Sequence, residues 1–134
     1  FYNLRIFALF DENELESRFI KANIKRYIDK DTMIIHQDKY MDFFYMKDFL
    51  NIIDYYVKND FCPKEINFTY KNTCKLSDIA ENINNLSDYK VDISVSEKEI
   101  ASSYCGEFNL NSIDCKMIGL YQGISNTYNV LKQR

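Results

Sequence analysis

The chain has 134 residues, is 46% hydrophobic and 28% charged, and carries a net charge of −3. One domain of this size can bury its own core, and the composition excludes a disordered chain. The acidic balance and lack of a basic stripe argue against a nucleic-acid or anionic-membrane surface, and no apolar run reaches the roughly 20 residues needed to cross a bilayer.

The first element is "NLRIFALF" (3–10), nearly continuous apolar sequence with one Arg. It reads as a strand buried on both faces. The acids of "DENE" follow, placed to favour the positive end of a helix that starts at Glu14. From there to Ile28, Ile20, Ile24, Tyr27 and Ile28 keep the spacing of an amphipathic stripe. Arg18, Lys21, Lys25 and Arg26 give that helix a basic side, read as a solvated face. Arg18 stands apart, because ligands of open α/β sheets collect where strands end and helices begin. A guanidinium there can clamp a phosphate in bidentate fashion.

A short strand is expected at "MIIH" (33–36) and an aromatic one at "DFFYM" (42–46). Asp48 is the expected N-cap of the next helix, where Phe49, Ile52, Ile53, Tyr56 and Val57 form the stripe. Pro63 marks a loop before the strand "EINFTY" (65–70). "LSDIAENINNL" (76–86) reads as a helix with Ser77 as its cap, and "VDISV" (91–95) as a half-exposed strand. A polar, irregular stretch runs to Lys116. Leu120, Ile124, Thr127, Tyr128 and Leu131 then mark a closing helix. Strands alternating with helices predict an α/β fold with parallel pairing.

Few residues advertise chemistry. His36 is the only histidine and has no Ser, Cys and Asp nearby to complete a triad, so a structural or surface role is expected. Cys62, Cys74, Cys105 and Cys115 form no Cys-x-x-Cys pair and no zinc pattern, and are expected to be reduced thiols. Asp42 and Asp48 are better explained as strand-end and capping residues than as an acid–base pair. The aromatics of 42–46, with Tyr55 and Tyr56, are expected in the core. Three glycines leave no room for a Gly-rich phosphate cradle.

With these elements laid out, three stretches carry a family likeness. "LRIFALFDENELESRFI" (4–20) resembles the Leu-Arg-x-Phe-Asn-Val-Phe-Gly strand and following helix of the extended short-chain dehydrogenases/reductases, the NAD(P)-dependent nucleotide-sugar epimerases and dehydratases. "MDFFYMKDFLNII" (41–53) is similar to their Arg-Asp-Phe-Ile-Tyr-Val-x-Asp segment, with Asp42, Phe43, Tyr45 and Asp48 in step. "LYQGISNTYNVLK" (120–132) resembles their closing Leu-x-x-Gly-Ile-x-x-Thr helix, and "EINFTYKNTCKLSDIAENI" fits the strand and helix between.

The resemblance implies late strands and helices of a Rossmann-type sheet plus a small C-terminal substrate-binding α/β portion. Residues 1–134 would then be one C-terminal portion of a larger, cytoplasmic bacterial enzyme of surface-carbohydrate synthesis. The family's Gly-rich dinucleotide loop and Tyr-x-x-x-Lys pair have no counterpart in these residues, so no catalytic residue is assigned. NAD or NADP would serve the complete enzyme, with none expected to bind this chain tightly. A nucleotide sugar is the implied partner, nucleic acid and membrane are not, and self-association is expected of cut sheet edges. Ala8 stands where the family often has a substrate-contacting Asn, and Met41 where it often has a diphosphate-pairing Arg. Arg18, Lys39 and Tyr40 are the remaining candidate substrate contacts. The alternative is a non-catalytic binding or interaction module of the same fold.

Overall fold

A computed structural model describes residues 1–134. The strands are β1 (Asn3–Ile6), β2 (Ala8–Phe10), β3 (Met33–Gln37), β4 (Tyr40–Met41), β5 (Phe43–Tyr45), β6 (Glu65–Phe68), β7 (Cys74–Lys75) and β8 (Ile93–Glu97). The helices are α1 (Phe19–Ile28), α2 (Met46–Lys58), α3 (Leu76–Asn84) and α4 (Leu120–Leu131). β1 pairs with β6, β2 with β5 and β3 with β8, all parallel, while β4 and β7 pair antiparallel. Parallel strands joined through helices are the expected α/β arrangement.

The apolar run 3–10 is two strands rather than one. Leu4 registers with Ile66, but Ala8 registers with Phe43, so the chain changes partner at Phe7. The Phe7 ring meets Tyr104 edge-on at 5.5 Å. β1 is half-buried at Leu4 and Arg5 and exposed at its ends, not covered on both faces.

The aromatic strand β5 organises the interior. Its pleat sends alternate side chains to opposite faces. Phe43 and Tyr45 therefore join a large cluster with Phe10, Ile24 and Ile124, while Phe44 joins a second with Ile52, Ile66 and Phe68. The expectation that these rings are core holds for all three. On α2 the stripe thins towards its end, and Val57 lies exposed.

Helix starts differ most from expectation. α1 begins at Phe19, and no acid lies in its first turn. The segment before it is held in turns instead, with the Asp11 carboxylate accepting the Asn13 amide at 2.8 Å. Lys21 donates to the Glu14 carbonyl at 2.8 Å and pairs with Glu16 at 3.0 Å, and Lys25 also bonds Glu16. Lys21 is thus buried against the loop rather than part of a solvated face.

Asp48 is not the N-cap of α2, since the helix starts two residues earlier, after Tyr45 in extended conformation. Ser77 is likewise inside α3. Its amide and hydroxyl both donate to the Asp38 carboxylate, at 3.0 and 2.6 Å, so the cap comes from the turn after β3.

The irregular segment 98–117 is pinned to the sheet. Gly106 donates its amide to Asp42 at 2.8 Å, and Asn67 donates to the Glu107 carbonyl at 2.7 Å. Leu110 and Ile113 then enter the second core cluster. No helix is long and apolar enough to cross a membrane.

Candidate functional site

Where β1 ends and the chain bends at Phe7, a cavity of about 420 Å³ opens. Ile6, Phe7, Ala8 and Leu9 form one wall, and Asn13, Glu14, Leu15 and Arg18 of the loop after β2 form the other. This is where open α/β sheets place ligands, beyond the C-terminal ends of parallel strands.

Arg18 occupies the cap position of α1, with extended backbone (φ −71, ψ 145), and its carbonyl accepts the Ala22 amide at 2.8 Å. It is therefore one residue before the helix rather than within its first turn. Its side chain is exposed at the cavity and takes part in none of the protein's four salt bridges. An unpaired guanidinium facing a cleft can grip an anionic ligand through two parallel N–H bonds.

Glu14 is the second titratable group of the cavity. One carboxylate oxygen, Oε1, accepts the Lys21 amide at 3.3 Å. Burial pushes the carboxyl up to about 7, against the pull of the Lys21 amide and the Arg18 charge. Its signal in the sequence was the polar loop "DENE" directly after a strand, which helix-dipole reasoning assigned to the helix instead.

Lys39 and Tyr40 lie apart from this cavity's lining. The Lys39 carbonyl accepts the Leu76 amide and the Tyr40 carbonyl accepts the Tyr104 amide, so both backbones serve the sheet. Lys39 is half-buried and Tyr40 exposed. Ala8 is at the cavity wall and nearly fully buried, while Met41 packs against the large core cluster. At both positions the resemblance replaces a polar contact with an apolar one, and the structure shows those apolar side chains seated.

The remaining chemistry-bearing groups are structural. Asp42 is buried, which raises its carboxyl above the ordinary range, and it holds the Gly106 amide. Burial and the neighbouring Asp42 push the Cys105 thiol up to about 11, so it is a poor nucleophile. All four cysteines are unpaired, His36 is exposed on β3, and no group of three or more His, Cys, Asp or Glu is placed to hold a metal.

A Cβ at Gly106 would meet the Phe7 ring at 2.5 Å, and one at Gly123 would meet Tyr45 at 2.7 Å, so aromatic rings fill these two glycine clefts. Gly119 does precede a helix, at φ +93, but the Gly119 and Ile118 amides are both spent on the Asp48 carboxylate, at 2.9 and 2.8 Å. Neither of these two amides is free to hold a phosphate.

No family model matches the chain, and no curated protein matches it in sequence. Solved structures do. UDP-glucuronic acid 4-epimerase from Bacillus cereus, in complex with UDP-glucuronic acid and NAD, aligns with a TM-score of 0.77 at 16% identity, over 98% of this chain and 45% of the epimerase. UDP-N-acetylglucosamine 4-epimerase from Bacillus cereus gives 0.78 at 18% identity, over 99% and 46%. The NAD-dependent NDP-hexosamine 5,6-dehydratase TunA, involved in tunicamycin biosynthesis, gives 0.76 at 13% identity, over 98% and 45%. This chain thus spans under half the length of each of these structures. The chain therefore shares its fold with one part of each of these enzymes.

Proposed function

We propose that this chain is the nucleotide-sugar-binding portion of an NAD(P)-dependent epimerase, dehydratase or reductase of bacterial surface-carbohydrate synthesis, working in the cytoplasm. The observation that carries this reading is the Arg18 guanidinium, unpaired at a cavity beyond the end of β1, in a fold shared with enzymes of nucleotide sugars. Arg18 takes the diphosphate. Lys39 and Tyr40, on the neighbouring turn and β4, complete the substrate contacts from outside the cavity lining. NAD or NADP and the proton-transfer groups are supplied by residues other than these 134. β1 and β2 each have one paired neighbour, and Ile6 is exposed beside the cavity, so a second copy of the chain covers this edge in the absence of another partner.

Titration of the ¹⁵N-labelled chain with UDP-glucose tests the reading. Amide shifts are expected at residues 6–9 and 13–18, with Arg18→Ala weakening binding about tenfold or more, the loss of one charge-assisted contact. Shifts confined to other residues, or an unchanged affinity in the variant, would refute it. Light scattering that shows a clean monomer at high concentration would remove the self-association.

A further inference from the structure

The cavity pairs opposite charges on one wall. Arg18 and Glu14 both line it, close enough for the guanidinium to act on the carboxyl, while Ile6 to Leu9 opposite carry no titratable group. The Lys21 amide holds Glu14 Oε1, which fixes the carboxyl at the wall and leaves Oε2 without a bond from the protein. The Lys21 ammonium bonds the Glu14 carbonyl and Glu16 rather than the Glu14 carboxylate, on which its charge acts only from a distance.

We propose that Glu14 determines which sugar this cavity accepts: Arg18 holds the diphosphate, and the free Glu14 oxygen accepts hydroxyl hydrogens of an uncharged hexose while excluding a sugar that bears a carboxylate. The proposal rests on the nucleotide-sugar reading of the cavity and adds the class of sugar. Two facts support it. A carboxylate accepts bonds from sugar hydroxyls but repels a second carboxylate. The wall of Ile6, Phe7, Ala8 and Leu9 carries no charged side chain to pair with an acidic sugar.

The charges around Glu14 are Asp11, Glu16, Arg18 and Lys21, with Arg134 of the α4 end reaching Asn13 and the Glu12 carbonyl. Burial pushes the Glu14 carboxyl up to about 7, so its charge changes near neutrality. The discrimination is therefore strong at pH 8 and weak at pH 6. The probes themselves do not change charge over this range, because a sugar carboxylate and a diphosphate diester are both ionised throughout.

The test is a titration of the ¹⁵N-labelled chain with UDP-glucose and with UDP-glucuronate, at pH 6 and pH 8, in wild type and Glu14→Gln. Two unit charges about 6 Å apart at an effective dielectric constant of about 40 give about a tenfold preference. Wild type is expected to favour UDP-glucose about fivefold at pH 8, where about a tenth of Glu14 keeps its proton, and less than twofold at pH 6. Glu14→Gln is expected to hold a ratio near one at both values, with an amide spectrum that confirms its fold. A ratio that does not change with pH, or that survives in Glu14→Gln, overturns the specificity role while leaving the nucleotide-sugar site intact. Binding of neither probe at residues 6–9 and 13–18 overturns the site and this role together.

Discussion

Replacing Asp48 by Asn probes the connection on which the fold most depends. Asp48 is fully buried on α2 and receives three donors: the Ile118 amide at 2.8 Å, the Gly119 amide at 2.9 Å and the Tyr70 hydroxyl at 2.5 Å. The Tyr70 oxygen accepts in turn the Tyr45 amide at the start of α2. Burial, reinforced by the Asp48 carboxylate, pushes the Tyr70 phenol far up, so it stays a donor. A carboxamide has one acceptor oxygen. If that oxygen serves Gly119 and Tyr70, the NH₂ confronts the Ile118 amide, donor against donor. Leaving one buried amide unmet costs about 1–3 kcal/mol, and changing two charge-assisted bonds to neutral ones costs about 1 kcal/mol more. Asp48→Asn should therefore destabilise by about 3 kcal/mol. With a urea m-value of about 1.5 kcal/mol/M for this size, the midpoint falls by about 2 M. Tyr70→Phe should cost about 2 kcal/mol, and the double variant less than the sum, because the two residues share one bond. Far-ultraviolet dichroism in urea reads the midpoints, and hydrogen exchange at Ile118 and Gly119 reads the site. A midpoint for Asp48→Asn within 0.3 M of wild type, with those amides still protected, would refute the reasoning.

Two glycines separate strain from crowding. At Gly123 a Cβ would lie 2.7 Å from the buried Tyr45 ring, so Gly123→Ala should lose about 1–3 kcal/mol despite the helix propensity of Ala. At Gly119 nothing lies within 4 Å, yet φ is +93, so Gly119→Ala should lose about 1–2 kcal/mol through backbone strain alone. Urea midpoints check both. Glu14 makes stability depend on pH. Folded, it keeps its proton up to about pH 7, whereas unfolded it releases it near 4.5. The folded state thus binds the extra proton between these values, and the contribution, complete below 4.5, is lost as pH rises through 7. The ceiling is about 3 kcal/mol, and solvent screening at a half-buried carboxyl brings it to about 1 kcal/mol. Glu14→Gln should gain that much on wild type between pH 5 and pH 8, and a flat difference would contradict the burial of the carboxyl.

How legible this fold was in the sequence follows from which forces decided each element. Periodicity located α2, α3 and α4 because each buries one apolar stripe, and the aromatic run of 42–46 was read as core because large rings are seldom left in water. The starts of α2 and α3 were misread for one reason. Local rules assign Asp48 and Ser77 to their own helices, but both bond to residues distant in sequence: Asp48 to Ile118 and Gly119, Ser77 to Asp38. A cap supplied across the fold leaves no spacing to find. The split of 3–10 was hidden likewise, because a continuous apolar run does not show that its two halves pair with β6 and β5. Of the site, Arg18 was visible as a cation after a buried strand. Glu14 was not, since its place on the cavity depends on Lys21 folding back to hold the loop.

The same geometry fixes how tightly the isolated chain can hold its ligand. The cavity offers Arg18 as its one cation, and a bidentate, charge-assisted contact is worth about 3 kcal/mol at most. Contact of a sugar face with Phe7 and Leu9 adds about 1–2 kcal/mol, at about 25 cal/mol per Å² over roughly 60 Å². The sum of about 4–5 kcal/mol corresponds to a dissociation constant near 1 mM. Calorimetry or shift titration with UDP-glucose should return that value, falling steeply in affinity as salt screens the exposed guanidinium. Micromolar binding, near 8 kcal/mol, would demand contacts that Arg18, Asn13 and Glu14 do not supply, and would move the principal ligand contacts to Lys39, Tyr40 or another face of the chain.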